Sequence, residues 1–185
     1  GAITENHDGV VPKDYDGLLA LPGFGPYTTA AVLSIAYGKS HAVLDGNVIR
    51  VLARLHGLQE TTDRPAARRR LQKLADEILN VDHPGDHNQA MMELGALICT
   101  PRNPHCPDCP LKGRCIARKQ NKVNRIPILA KRAPVSKRRF IGFIIAWHGK
   151  VFVKRRPSGE VNSGFWEFPN WLVDDTQVQP ADLAS

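Results

Sequence analysis

The sequence predicts a mainly α fold over residues 1–116, followed by the start of an α+β region. Three observations carry this. Apolar residues between 14 and 98 recur at helical spacing. Four cysteines, Cys99, Cys106, Cys109 and Cys115, then fall within 17 residues. From 138 the period changes to that of strands.

Helices are expected over 14–20, 27–37, 47–55, 65–80 and 86–98. Ala67, Leu71, Leu74, Ala75 and Ile78 form one apolar stripe; Ala90, Met91, Leu94, Leu97 and Ile98 form another. Both read as core faces. Residues 117–137, with Pro127, Pro134 and a run of Lys and Arg, read as an extended basic linker. In "RRFIGFIIAW" and "KVFVKRR", separated by His148-Gly149, we read two strands of a hairpin. "GFWEFPNWLV" continues in strand-like fashion, and Ser185 comes too soon for this region to close a sheet around a full core. The expected domains are therefore 1–116, a linker 117–137 and a partial domain 138–185. No apolar run reaches membrane-spanning length, and the first residues lack a signal-peptide core, so the expected setting is cytoplasmic and away from membranes.

The net charge is +7 and the pI about 9.5. Such an excess of cations is either a solvated basic surface or the footprint of a polyanionic partner.

"LPGFG", residues 21–25, is a tight turn between two helices. Gly23 and Gly25 permit close backbone approach. Pro26 suits a first helical position. The amides of this turn and of the helix start form an anion site. The cysteine spacing is Cys-x6-Cys-x2-Cys-x5-Cys. Without an export signal, four clustered thiols point to a metal or cluster rather than to disulfides. Four thiolates suit zinc or a [4Fe–4S] cluster. Arg102, Lys112, Arg114, Arg118 and Lys119 add a basic surface to the loop.

Asp45, in "AVLDGNVIRVLARL", precedes a helix whose apolar face holds Val48, Val51, Leu52 and Leu55. Locally it reads as an N-cap. Asn47 is a second candidate for that cap, which would free Asp45.

"LPGFG", "LDGNV" and "HNQAMMELGALICTPRNPHCPDCPLKGRC", in this order, resemble the helix-hairpin-helix DNA glycosylases with an iron–sulfur loop. Within them the chain is similar to the MutY-type adenine DNA glycosylases. The endonuclease III branch, which acts on oxidised pyrimidines, carries a Lys before the hairpin's Thr; here Tyr27 stands before Thr28. Without that amine no Schiff-base nucleophile is available.

The resemblance implies removal of adenine mispaired with 8-oxoguanine or guanine in double-stranded DNA, by a monomeric enzyme. Leu21, Gly23, Phe24, Gly25, Tyr27 and Thr28 would grip DNA. Asp45 would stabilise the oxocarbenium-like sugar, with Tyr27 and Asn47 beside it. The cysteines would hold a [4Fe–4S] cluster, with zinc as the alternative. Region 138–185 would begin a Nudix-like domain that inspects the 8-oxoguanine strand, and it shows no complete Nudix metal-binding box.

The family's general acid is a Glu on a helix upstream of the hairpin. No residue of 1–20 matches it, and Glu5 sits in a loop-like setting. On this comparison the chain reads as an internal stretch of such an enzyme. Two other functions stay open: a non-catalytic iron–sulfur or zinc DNA-binding module, and an oxidised-pyrimidine glycosylase.

Overall fold

A computed structural model describes residues 1–130 and 137–173. These residues form two compact units, one on either side of Lys131. Residues 131–136 of the expected linker and 174–185 of the expected C-terminal region lie outside the described residues.

The first unit is helical: α1 (Ala2–Asn6), α2 (Tyr15–Leu19), α3 (Pro26–Tyr37), α4 (Gly46–Leu55), α5 (Pro65–Ile78), α6 (Pro84–Glu93) and α7 (Ile116–Lys119). A π turn, Leu94–Ile98, follows α6, and a short 3₁₀ turn, Cys106–Asp108, lies in the cysteine loop. The helix ends follow from local chemistry. Pro26, Pro65 and Pro84 open three helices, where a missing N–H costs nothing. Asp14 caps α2 by accepting from the Gly17 amide at 2.8 Å. Gly38, at φ 62°, closes α3 in the left-handed conformation.

Two cores form. Leu18, Leu21 and Leu33 bury together beneath the hairpin. The larger core joins Val48, Val51 and Leu52 of α4 to Leu71 and Ala75 of α5 and Met91 of α6. Glu5, read as loop-like, lies in α1. Ile78 of the α5 stripe is exposed.

The segment read as one helix, 86–98, starts earlier and changes character. α6 ends at Glu93, and the Cys99 amide then reaches back five residues to the Leu94 carbonyl at 2.7 Å. The wider turn shifts the face. Leu97, placed in the core by its spacing, is exposed, as is Ala90. Met91 of that stripe is buried as expected, joined by Pro84, Asn88 and Gly95. The stretch 117–130, read as linker, packs on the helices because its apolar residues have a core to enter. Ala117 and Ile126 are buried, and the Thr62 amide donates to the Ile128 carbonyl at 2.9 Å.

The described part of the second unit holds three separate two-stranded antiparallel ladders. They pair β1 (Arg139–Gly142) with β6 (Asn170–Val173), β2 (Ala146–Trp147) with β3 (Lys150–Val151), and β4 (Lys154–Arg155) with β5 (Trp166–Glu167). The hairpin forms at His148-Gly149, both at positive φ as a two-residue I′ turn requires. Its strands are shorter than expected, because Arg139–Gly142 pairs with β6. None of the described residues in this unit is buried. Among the described residues no helix is long and apolar enough to cross a membrane.

Candidate functional site

The hairpin turn hangs from its core. Leu21 is buried and Phe24 packs partly against the same cluster. The Phe24 amide closes the turn on the Leu21 carbonyl at 3.1 Å. Gly23 has φ 85°, which a side chain would strain. The amides of Gly23, Gly25, Tyr27 and Thr28 find no protein acceptor among the described residues, whereas the Thr29 amide already bonds within the helix. Together with the N-terminal end of α3 they form a cradle of free donors. Tyr27 is 46% exposed. It lines a cleft of about 610 Å³ with Ala30, His41, Leu44, Arg68 and Arg69.

The segment between α3 and α4 is fixed by a polar residue that the helical pattern does not reveal. Asn88, 2% exposed, accepts from the Val43 amide at 3.0 Å. It donates to Ser34 Oγ and to the His41 carbonyl, both at 2.9 Å. Asp45 therefore leaves a rigid strap and enters α4.

Asp45 is the N-cap of α4. Its Oδ1 accepts from the Val48 amide at 2.7 Å. Its Oδ2 accepts from Asn47 Nδ2 at 2.9 Å. Asn47 thus does not replace Asp45 as cap; it holds the second carboxylate oxygen. Asn47 Oδ1 in turn accepts from Arg50 Nη2 at 2.8 Å. Arg50 continues to the Gly95 carbonyl at 2.6 Å and, through Nε, to the Cys99 carbonyl at 2.7 Å. Desolvation lowers the Arg50 pKa, with the Cys99 and Asp45 charges opposing it. Gly95 is needed for this contact: a Cβ there would lie 2.6 Å from Asn47 Cβ.

One turn on, Arg54 is buried and donates to the Thr100 carbonyl at 2.7 Å and to Cys99 Sγ at 3.3 Å. Cys99, Cys106, Cys109 and Cys115 ring one small cavity with Arg54, Lys112 and Arg118. All four are free and partly exposed. Burial raises the Cys106 thiol pKa, and the other three cysteines raise it further. Among the described residues, no group of three or more His, Cys, Asp or Glu converges closely enough to hold a single metal ion.

The structure thus joins Asp45, Asn47 and the cysteine loop through α4. It brings Tyr27 to a cleft beside Leu44, and Asp45 is not among that cleft's lining residues. Three functional-looking residues escaped the sequence reading: Arg50, Arg54 and Asn88. For the arginines a signal exists, since two cations four apart within an apolar helix share one side of it.

No family model matches the chain. The adenine DNA glycosylase of Schizosaccharomyces pombe is 42% identical over 124 residues, covering 66% of this chain and 27% of that protein. Its counterpart from Buchnera aphidicola subsp. Schizaphis graminum is 29% identical over 177 residues, covering 96% of this chain and 50% of that protein. The chain is thus similar to adenine DNA glycosylases over most of its length. It spans about half or less of the length of these curated relatives. Among solved structures, a thermostable thymine-DNA glycosylase superposes with a TM-score of 0.59 at 32% identity, over 64% of this chain and 54% of that one. A trapped endonuclease III–DNA covalent intermediate gives 0.55 at 29%, over 65% and 55%. Solved glycosylases of more than one kind thus share the helical fold of this chain, and base preference has to come from particular residues.

Proposed function

We propose that this chain belongs to a base-excision enzyme that hydrolyses the N-glycosidic bond of adenine opposite 8-oxoguanine or guanine in double-stranded DNA. The observation that carries the reading is Asp45: a carboxylate at a helix start, both oxygens held by N–H donors, 20 residues past a hairpin with free amides. The target adenine has to leave the stack to be reached. The hairpin amides grip a phosphate, which positions the duplex without reading its sequence. As the bond breaks, positive charge grows on the sugar, and the Asp45 carboxylate stabilises it electrostatically or by transient capture. Asn47 and the Val48 amide fix the direction of that carboxylate. Tyr27 stands where the lyase branch has its Lys, which favours a glycosylase without strand cleavage. The leaving base also needs a proton, and the resemblance assigns that step to a Glu upstream of the hairpin, which no residue of 1–20 matches.

The donor set fits a [4Fe–4S] cluster held by Cys99, Cys106, Cys109 and Cys115. A single zinc draws four thiolates to about 2.3 Å from one point. Four cysteines set around a shared cavity supply the four thiolates that such a cluster needs. When bound, the cluster orders the loop and so the Cys99 carbonyl on which Arg50 rests. The second unit is proposed to begin the Nudix-like domain that inspects the 8-oxoguanine strand. Its reach into relatives over most of this chain supports that reading.

The test is base release from a duplex with adenine opposite 8-oxoguanine, comparing this chain with one extended upstream to supply a Glu. Adenine release by the extended protein, without strand cleavage, is expected. Release of oxidised pyrimidines with a trapped imine would reverse the assignment, and tight DNA binding with no release by either protein would favour a binding module.

A further inference from the structure

Arg54 is 2% exposed, and a guanidinium keeps its charge even when buried. Its partners are four backbone carbonyls and one sulfur. Nε donates to Ile126 at 2.8 Å, Nη1 to Thr100 at 2.7 Å and to Cys99 at 3.3 Å, and Nη2 to Pro101 at 3.2 Å. Nη1 also lies 3.3 Å from Cys99 Sγ. None of the ion pairs among the described residues supplies it with a carboxylate. A buried cation without a counter-charge is strongly destabilising. Carbonyl dipoles solvate it in part, but the nearest group able to carry a full negative charge is the Cys99 thiol. Cys115 meets the backbone of the same residue, its Sγ 3.4 Å from the Arg54 carbonyl.

We propose that Arg54 is the buried counter-charge of the four-cysteine site, so that filling the site with a thiolate-bound cluster and closing α4 onto the loop form one coupled event. The inference rests on the reading that these cysteines hold a [4Fe–4S] cluster, and it adds a positioning role to a residue that touches neither DNA nor substrate. With the site filled, thiolate charge compensates the guanidinium. With it empty and the thiols protonated, the same arginine is buried with carbonyl partners alone. A residue that merely bridged carbonyls would stabilise the filled and empty forms alike.

That difference defines the experiment. The chain and its Arg54→Met and Arg54→Lys variants are purified, and each is melted as isolated and after the cluster is stripped. Loss of visible absorption is also followed under a chelator. Arg54→Met is expected to lose the cluster at least about tenfold faster, the scale of one lost charge-assisted hydrogen bond. Stripping should lower its melting temperature less than that of the parent. Arg54→Lys, which keeps the charge, should fall near the parent in cluster loss. If Arg54→Met gives no folded protein, Arg54→Gln against Arg54→Lys supplies the same contrast. Equal loss rates, or an equal drop in melting temperature on stripping, overturn the proposal. A parent that carries zinc is followed by zinc release in place of colour; that result rejects the cluster reading alone. A parent that binds neither metal rejects both.

Discussion

Asp45 combines two roles that its local sequence sets against each other. As the cap of α4 it accepts from the Val48 amide, and in the proposed function its carboxylate serves the sugar. Asn caps a helix about as well as Asp. Asp45→Asn is therefore expected to change stability by less than about 0.5 kcal/mol and to leave DNA binding intact. Single-turnover adenine release by the upstream-extended protein should vanish, and retained release would reduce Asp45 to a cap. Gly95 is the complementary case, since its Cβ position is occupied by Asn47. Gly95→Ala should cost about 1–3 kcal/mol, as overpacking does, measured by denaturant unfolding. It should also slow base release by moving Asn47 off the carboxylate. Asp45 was legible in the sequence because it stands alone before an apolar helix. Arg50 and Arg54 were less so, because they reach backbone carbonyls and a thiol some 45 residues away, and no local pattern records those.

At the scale of elements, α2 to α5 were legible from periodicity, to within a residue or two at their ends. The short α1 and α7 were not, and α6 differed in its face. Spacing alone put Ala90 and Leu97 inward, but the π turn and the polar anchor Asn88 set a different face. A buried Asn looks like a surface residue in any hydropathy pattern. Asn88→Ala would orphan the Val43 amide and the His41 carbonyl, a loss of about 1–3 kcal/mol per unpaired group. Hydrogen exchange should show the strap 40–44 opening before the cores do. The cysteine loop makes a further prediction through Cys106. Its raised thiol pKa means that the cluster-free folded form holds this proton more tightly than the unfolded chain does. The stability this gives is full below the ordinary thiol value of 9.0 and is lost as pH rises through the folded value. Melts of the stripped protein at rising alkaline pH should therefore fall, whereas the cluster-bound protein, with its thiols already deprotonated, should not follow this trend.

On the scale of the whole molecule, charge and geometry converge. A net charge of +7 and a hairpin of free amides call for a phosphate partner. Binding to duplex DNA should weaken with log salt at a slope of about −0.9 per phosphate contact. Gly23→Ala and Gly25→Ala should weaken it uniformly across sequences, as a fluorescence titration would report. The division into a helical unit and a strand-bearing unit was visible in the change of period, but its position was not. Ala117 and Ile126 enter the helical core from a stretch whose prolines and cations suggest open chain, because burial depends on which surface lies opposite. The π turn has a consequence of its own. A π turn amounts to one surplus residue in a helix. Deleting Ala96 would let Leu94–Cys99 relax to ordinary winding and turn Cys99 by roughly a quarter of a revolution, given about 100° per residue. The loop would keep all four thiols and yet lose its grip on α4. The register of a single turn, more than the count of ligands, is what ties the cysteine loop to the helix that carries Asp45.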